Sequence, residues 1–265
     1  MGVLVMEEYR RVYTMSNENI GSYKELYDFD GARLLTVLGS GDQYFNSLLY
    51  GVSDAMIFDI NYTAWLYFRI KYKAIKILSY EEFIKVFVLR DMYDIEVYNK
   101  IVQVLDYEEI NYYVYLVNSF NNMIYSSQCF YPNVIITSCD SWKDREELNP
   151  YLNRDNYYKL QEVLNKREMP RFVIGNFMNM KIEDGYDILL LSNIYDYIDR
   201  DMDRYIEKVY GYKAQALVNY SWFFNDRDKE FIRRGMSLDK VKGLMKSDII
   251  MCYHLKDRRV IYDIL

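Results

Sequence analysis

Residues 34–61 read LLTVLGSGDQYFNSLLYGVSDAMIFDIN, and the fold follows from how this stretch is divided. The apolar run Leu34–Leu38 stops at Gly39-Ser40-Gly41, which predicts a strand, a tight turn and then a helix over Gln43–Tyr50. Glycines at 39 and 41 allow the backbone to approach a ligand closely, and the free N–H groups that open the helix attract polar or anionic groups. A second apolar run, Ala55–Phe58, ends in Asp59, twenty residues beyond Gly39. In a doubly wound nucleotide-binding sheet an acid at that place receives the ribose hydroxyls. The alternative is a turn that only reverses the chain, with Asp59 capping the next helix.

The residues after Gly41 narrow the ligand class. A dinucleotide site carries a third glycine there, and this chain has Asp42-Gln43-Tyr44 instead. A carboxylate at 42 opposes a pyrophosphate. It is acceptable to S-adenosylmethionine, which has no phosphate and carries an ammonium and a sulfonium. The expected ligand is therefore S-adenosylmethionine rather than NAD, with no metal.

Outward from this stretch, glycine and proline partition the chain. Neither occurs between Val52 and Tyr131, and these are the strongest breakers of regular structure, so long helices are expected there. Apolar residues recur at three-and-four spacing over Thr63–Ile77, Tyr80–Leu89, Ile95–Leu105 and Glu108–Phe120. Short β-rich runs flank this block: Arg33–Leu38, Ala55–Asp59, Arg171–Gly175, Asp187–Ser192, Ala214–Asn219, Asp248–Tyr253 and Arg259–Asp263. Helical stretches at Arg200–Tyr210 and Asp226–Arg234 lie between the later ones. Strands that alternate with helices make a mostly parallel sheet covered on both faces. The polar turn Leu255–Arg258 is short enough only for an antiparallel hairpin. The expected fold is thus a single α/β domain over residues 1–265. Its seven-stranded, doubly wound, Rossmann-like sheet is of the class I methyltransferase type, with a C-terminal hairpin and a mainly helical insertion at about 61–168.

Composition removes several classes of function. The chain of 265 residues has one histidine, His254, which leaves no His-rich zinc site and would make any histidine-based acid–base mechanism rest on that one side chain. A formal net charge of −6 lacks the basic excess with which nucleic-acid binders release phosphate counterions. The basic run Arg69–Lys71–Lys73–Lys76 reads as a solvated helix face. Cys129, Cys139 and Cys252 form no Cys-x-x-Cys pair and fit a reducing compartment, and MGVLVMEEYRR has too short an apolar run for a signal peptide, so a cytoplasmic location is expected. Residues 110–139 are uncharged, but six Asn and Gln residues and Pro132 argue against a membrane span. A buried helix followed by a site-lining loop is the expectation.

The segments VLGSGDQYFNSLLYGVSDAMIFDIN and YFRIKYKAIKILSYEEFIKVF, together with YDILLLSNIYDYI at 186–198, carry a family resemblance. They resemble the S-adenosylmethionine:diacylglycerol 3-amino-3-carboxypropyltransferases of betaine-lipid synthesis and small relatives of them. The likeness rests on Gly-Ser-Gly, on Asp-Ile-Asn at 59–61, on Leu-Ser-Tyr-Glu-Glu-Phe at 78–83 and on Ser-Asn-Ile-Tyr-Asp at 192–196. The resemblance implies the same fold and cofactor. It departs where the family shows Pro-Gly-Gly and then an arginine, because this chain has Tyr210-Gly211-Tyr212 followed by Ala-Leu-Val-Asn-Tyr.

In an open parallel sheet the ligand lies beyond the carboxyl ends of the strands. Gly39, Ser40, Gly41, Asp42 and the helix start at Gln43 are therefore expected around the aminocarboxypropyl arm. Asp59 is expected on the ribose, Ile60 and Asn61 beside the adenine, and Asn176 and Phe177 at its edge and face. The end of the fourth strand, from Ser192 to Tyr197, is expected next to the reacting sulfonium, where Ser192 contacts the cofactor, Asn193 holds the amino acid part, and Tyr195, Asp196 or Tyr197 orients the acceptor nucleophile. Bland readings stand beside these: Asp196 and Asp199 as helix caps, Phe177 and the tyrosines from 107 to 131 as core. Three functions remain open at this point. One is a transferase acting on a small-molecule or lipid acceptor, with peripheral membrane contact. The second is a protein that binds S-adenosylmethionine without turnover, and the third an interaction module that buries its tyrosine-rich helices in a homodimer.

Overall fold

A computed structural model describes residues 9–16, 18–89, 91, 94–123, 142–181, 185–197, 201–221, 224–242 and 249–254. After a short helix α1 (Tyr23–Leu26), the chain runs through β1 (Arg33–Val37), α2 (Asp42–Leu49) and β2 (Asp54–Asp59). A helical block follows: α3 (Tyr62–Ile77), α4 (Tyr80–Phe83) continuing as a π turn over Ile84–Val88, α5 (Ile95–Val102), α6 (Tyr107–Met123), α7 (Trp142–Leu148) and α8 (Arg154–Asn165). The rest alternates as β3 (Arg171–Ile174), β4 (Ile188–Leu190), α9 (Met202–Gly211), β5 (Gln215–Ser221), α10 (Asp226–Arg233), β6 (Ser237–Lys242) and β7 (Ile249–His254).

The sheet order is β3-β2-β1-β4-β5-β7-β6, with β1 to β5 parallel and β7 antiparallel to both β5 and β6. The molecule is therefore α/β, with a seven-stranded, mostly parallel, Rossmann-like sheet. Successive strand residues face opposite sides, so Leu34, Ile57, Ile188, Leu190 and Leu217 belong to one core cluster and Leu35, Met56, Phe58, Leu189 and Val218 to the other. The first cluster is covered by α2, α3 and the helical block, the second by α9 and α10 through Tyr205, Val209 and Phe231.

Local chemistry starts the helices where the sequence permits it. Asn61 accepts from the Thr63 N–H, Asp94 from Glu96 and Val97, and Asp201 from Arg204. Ser79 with Glu82 and Asn225 with Asp228 form reciprocal capping boxes. The helix after Asp196 is capped by Asp201 instead, and Asp199 lies outside the described residues.

The expected hairpin needs one correction. Its first strand is Ser237–Lys242, which the sequence reading left unassigned, and its second is Ile249–His254. The run Arg259–Asp263 and the turn before it lie outside the described residues. Ser237-Leu-Asp-Lys-Val-Lys has only two apolar residues, which hides it from a search for apolar runs. It forms the sheet's edge, where charged side chains discourage further pairing.

The tyrosines resolve mainly into core. Tyr67, Tyr112, Tyr113, Tyr151 and Tyr157 are fully buried, and the rings of Phe45, Phe68, Trp65 and Phe172 stack in series at 5.3, 5.5 and 4.5 Å. Within the uncharged stretch, α6 is buried through Tyr112, Tyr113 and Leu116. The loop expected after it, residues 124–141, lies outside the described residues. The basic run on α3 is not a solvated face. Arg69 and Lys73 pair with Asp106 and Glu109, and Lys71 is fully buried.

Candidate functional site

At the carboxyl ends of the strands lies a cavity of about 880 Å³, within the range of roughly 300–1,000 Å³ usual for small-molecule sites. The turn after β1 lines it through Gly39 and Ser40. Gly39 has φ +50 and Gly41 φ +82, and the Gly41 N–H closes the turn onto the Leu38 carbonyl at 2.7 Å. A side chain at Gly41 would place its Cβ 2.5 Å from Phe68, so the turn requires glycine both for its left-handed backbone and for space.

Asp59 ends β2 on the cavity wall. Its Oδ2 accepts from the Gly39 N–H at 3.1 Å and its Oδ1 from the Asn61 N–H at 2.9 Å, so one carboxylate ties the first two strand ends together. Burial pushes the Asp59 carboxyl up, opposed by these backbone donors. A carboxylate offers about four acceptor positions, and those left over suit a vicinal diol.

Most of the expected ligand contacts meet here. Gly39, Ser40 and Gln43 line the cavity from the first turn, and Asp59, Ile60 and Asn61 from the second. Asn176 and Phe177 follow β3, and Ser192, Asn193, Asp196 and Tyr197 follow β4. Phe177 packs its ring against Phe58 at 5.6 Å and is buried, so it is at once core and cavity wall. Ser192 sits at φ +53, an uncommon conformation for a residue with a side chain, at the point where the chain leaves β4.

Three expected site residues do not line the cavity. Gly41 faces Phe68. Asp42 turns into the core, where Lys71 Nζ lies 2.5 Å from its Oδ1, Tyr151 Oη donates to the same oxygen, and the Ser16 N–H and Asn149 amide donate to Oδ2. Lys71 also donates to the carbonyls of Thr14 and Ser40. Burial pushes the Lys71 ammonium down in pKa, and Asp42 pulls it back up. A carboxylate already matched to a buried lysine does not repel a phosphate in the cavity, so the sequence argument from Asp42 against a dinucleotide falls. Tyr195 is likewise core, with its ring 5.0 Å from Tyr205 and 5.4 Å from Phe231.

Asp196 is engaged by the Arg227 guanidinium, whereas Tyr197 stands 64% exposed on the rim.

The sequence reading missed the segment before β1. Arg10, Val12, Met15, Ser16 and Glu18 all line the cavity, as do Tyr220 of β5 and Asn225 and Arg227 at the start of α10. Glu18 is buried and accepts hydrogen bonds from the hydroxyls of Ser192 and Tyr23 and, at 2.6 Å, from the Gln43 amide. Gln43 is itself oriented by Thr36, whose hydroxyl donates to its carbonyl oxygen at 2.6 Å. No local pattern marks Glu18, because its partner Ser192 is 174 residues away. Among the described residues no group of three or more His, Cys, Asp or Glu side chains is arranged to hold a metal, and no helix is long and apolar enough to cross a membrane.

No protein-family model matches the chain, and neither does any curated protein sequence.

Proposed function

We propose that this chain is an S-adenosylmethionine-dependent transferase, moving the aminocarboxypropyl arm or the methyl group to a small or lipid acceptor. The observation that carries the reading is the Asp59 carboxylate on the cavity wall, held at the end of β2 by the N–H of Gly39. Strand order 3-2-1-4-5-7-6, with the seventh strand antiparallel, supports the finer assignment to the class I methyltransferase type.

In this reading Asp59 takes the ribose hydroxyls, and Ile60 and Asn61 lie beside the adenine with Asn176 and Phe177. Gly39, Ser40, Ser192 and Asn193 hold the amino acid arm. The bound sulfonium supplies an activated carbon, so the protein's work is to position reactants and exclude water. The buried wall of Phe58, Phe177 and Leu38 does the latter. Tyr197 is the side chain of the 195–197 group best placed to meet an acceptor. The exposed ring of Tyr197 on the rim favours an acceptor with an apolar portion.

A second reading has its own support: with Tyr195 in the core and Asp196 bound to Arg227, the chain could bind the cofactor without turning it over. Calorimetry with S-adenosylmethionine, S-adenosylhomocysteine and NAD tests the binding step, with Asp59→Ala as control. Tight binding of NAD, or none of the adenosyl ligands, removes the proposal. Mass spectrometry after incubation with cell extract separates the outcomes: methylthioadenosine marks arm transfer, S-adenosylhomocysteine marks methylation, and neither marks the binding protein.

A further inference from the structure

Glu18 is 7% exposed and lines the cavity, yet the groups that hold it are all neutral: two hydroxyls and one amide. Among the described residues no ion pair involves it. Of the two arginines that line the cavity, Arg227 is taken by Asp196 and Arg10 makes no ion pair with Glu18, and the buried Lys71 is taken by Asp42. A carboxylate removed from water without a counter-ion is costly for the folded protein unless a ligand brings the missing charge. Its position adds direction. Ser192 leads out of β4 and Gln43 opens α2, so Glu18 sits where the first and fourth strand ends converge.

The geometry points to Glu18 as the counter-ion of a ligand ammonium group, which makes this cavity selective for a ligand bearing a primary amine. The inference rests on the transferase reading for the identity of that ligand. Two sources share the chemistry: the amino acid arm of S-adenosylmethionine, or an amine acceptor seated beside it. Burial raises the Glu18 carboxyl above its ordinary range, opposed by the hydrogen bonds from Ser192, Tyr23 and Gln43 and helped by the nearby Asp42 carboxylate.

Glu18→Gln tests this with little disturbance. Its carbonyl oxygen can still accept from Tyr23 and Gln43, and its amide can donate to Ser192, whose proton then turns to Asn193 Oδ1 at 3.3 Å. Wild type and variant are titrated with S-adenosylhomocysteine, with methylthioadenosine, which lacks the amine, and with 1,4-diaminobutane against 1,4-butanediol. If the ammonium belongs to the amino acid arm, the variant weakens S-adenosylhomocysteine by roughly tenfold or more and leaves methylthioadenosine unchanged. If it belongs to the acceptor, both nucleosides keep their affinity and diaminobutane binding to the S-adenosylhomocysteine-loaded protein is lost. A variant that alters none of these relative to the neutral controls overturns the inference. Should the wild type bind neither nucleoside, the transferase reading fails by itself, and the diaminobutane arm on the unloaded protein still decides the role of Glu18.

Discussion

Replacing Lys71 by methionine keeps the bulk of a buried side chain and removes its charge. The change leaves Asp42 fully buried beside three remaining donors, the Ser16 N–H, Tyr151 and Asn149. It also strips the Thr14 and Ser40 carbonyls of a donor. Removing one partner of a buried ion pair costs about 3–5 kcal/mol, and the three surviving donors place this case near the lower end, about 3 kcal/mol. At about 2–4 °C per kcal/mol for a protein of this size, the melting temperature falls by roughly 6–12 °C. Adding Asp42→Asn relieves the orphaned charge. The asparagine oxygen keeps Ser16 and Asn149, its amide faces the Tyr151 hydroxyl, and the double variant recovers much of the loss. Urea denaturation of the four proteins in the cycle gives the coupling directly. A Lys71→Met loss below about 1 kcal/mol, or additive single and double effects, would refute the claim that this pair fastens the glycine turn to the N-terminal segment and the helical block.

Three further outcomes follow from the same geometry. Gly41→Ala combines a left-handed backbone with a 2.5 Å approach to Phe68, so it costs about 2–4 kcal/mol by denaturation, whereas Gly39→Ala, with nothing within 4 Å of the added Cβ, costs only about 1 kcal/mol. Tyr195→Phe leaves ligand binding unchanged, and Tyr195→Ala destabilises by about 3–5 kcal/mol as a core deletion; a selective loss of binding in the Phe variant would return Tyr195 to the site. The folded pKa of Glu18 is raised above its ordinary 4.5, so its favourable contribution is present below that pH and is lost as pH rises through the folded value. The melting temperature of ligand-free wild type should therefore fall relative to Glu18→Gln as pH climbs from about 4.5, and a gap independent of pH contradicts the burial argument.

The turn at 39–41, the acid at 59 and the alternation of strands with helices were legible because they are local. Glycine at a reversal, an acid at a strand end and an apolar period of two each act within a few residues of chain. The edge strand β6 was not legible, since two apolar residues among charges carry too little period. The roles of individual charges were less legible still. Asp42 and Lys71 both looked solvent-facing or ligand-facing in sequence, and Tyr195 resembled its neighbour Tyr197.

By itself the sequence determined a doubly wound sheet with a glycine turn, an acid after the second strand and a helical block between the second and third. Only the tertiary structure decided which carboxylate faces the cavity. Asp42 finds Lys71 29 residues on and Tyr151 109 residues on, and these contacts turn it inward. Glu18 is fixed to the fourth strand end by a residue 174 positions later. A charge goes where its desolvation is best compensated, and that depends on partners the fold brings together from distant parts of the chain.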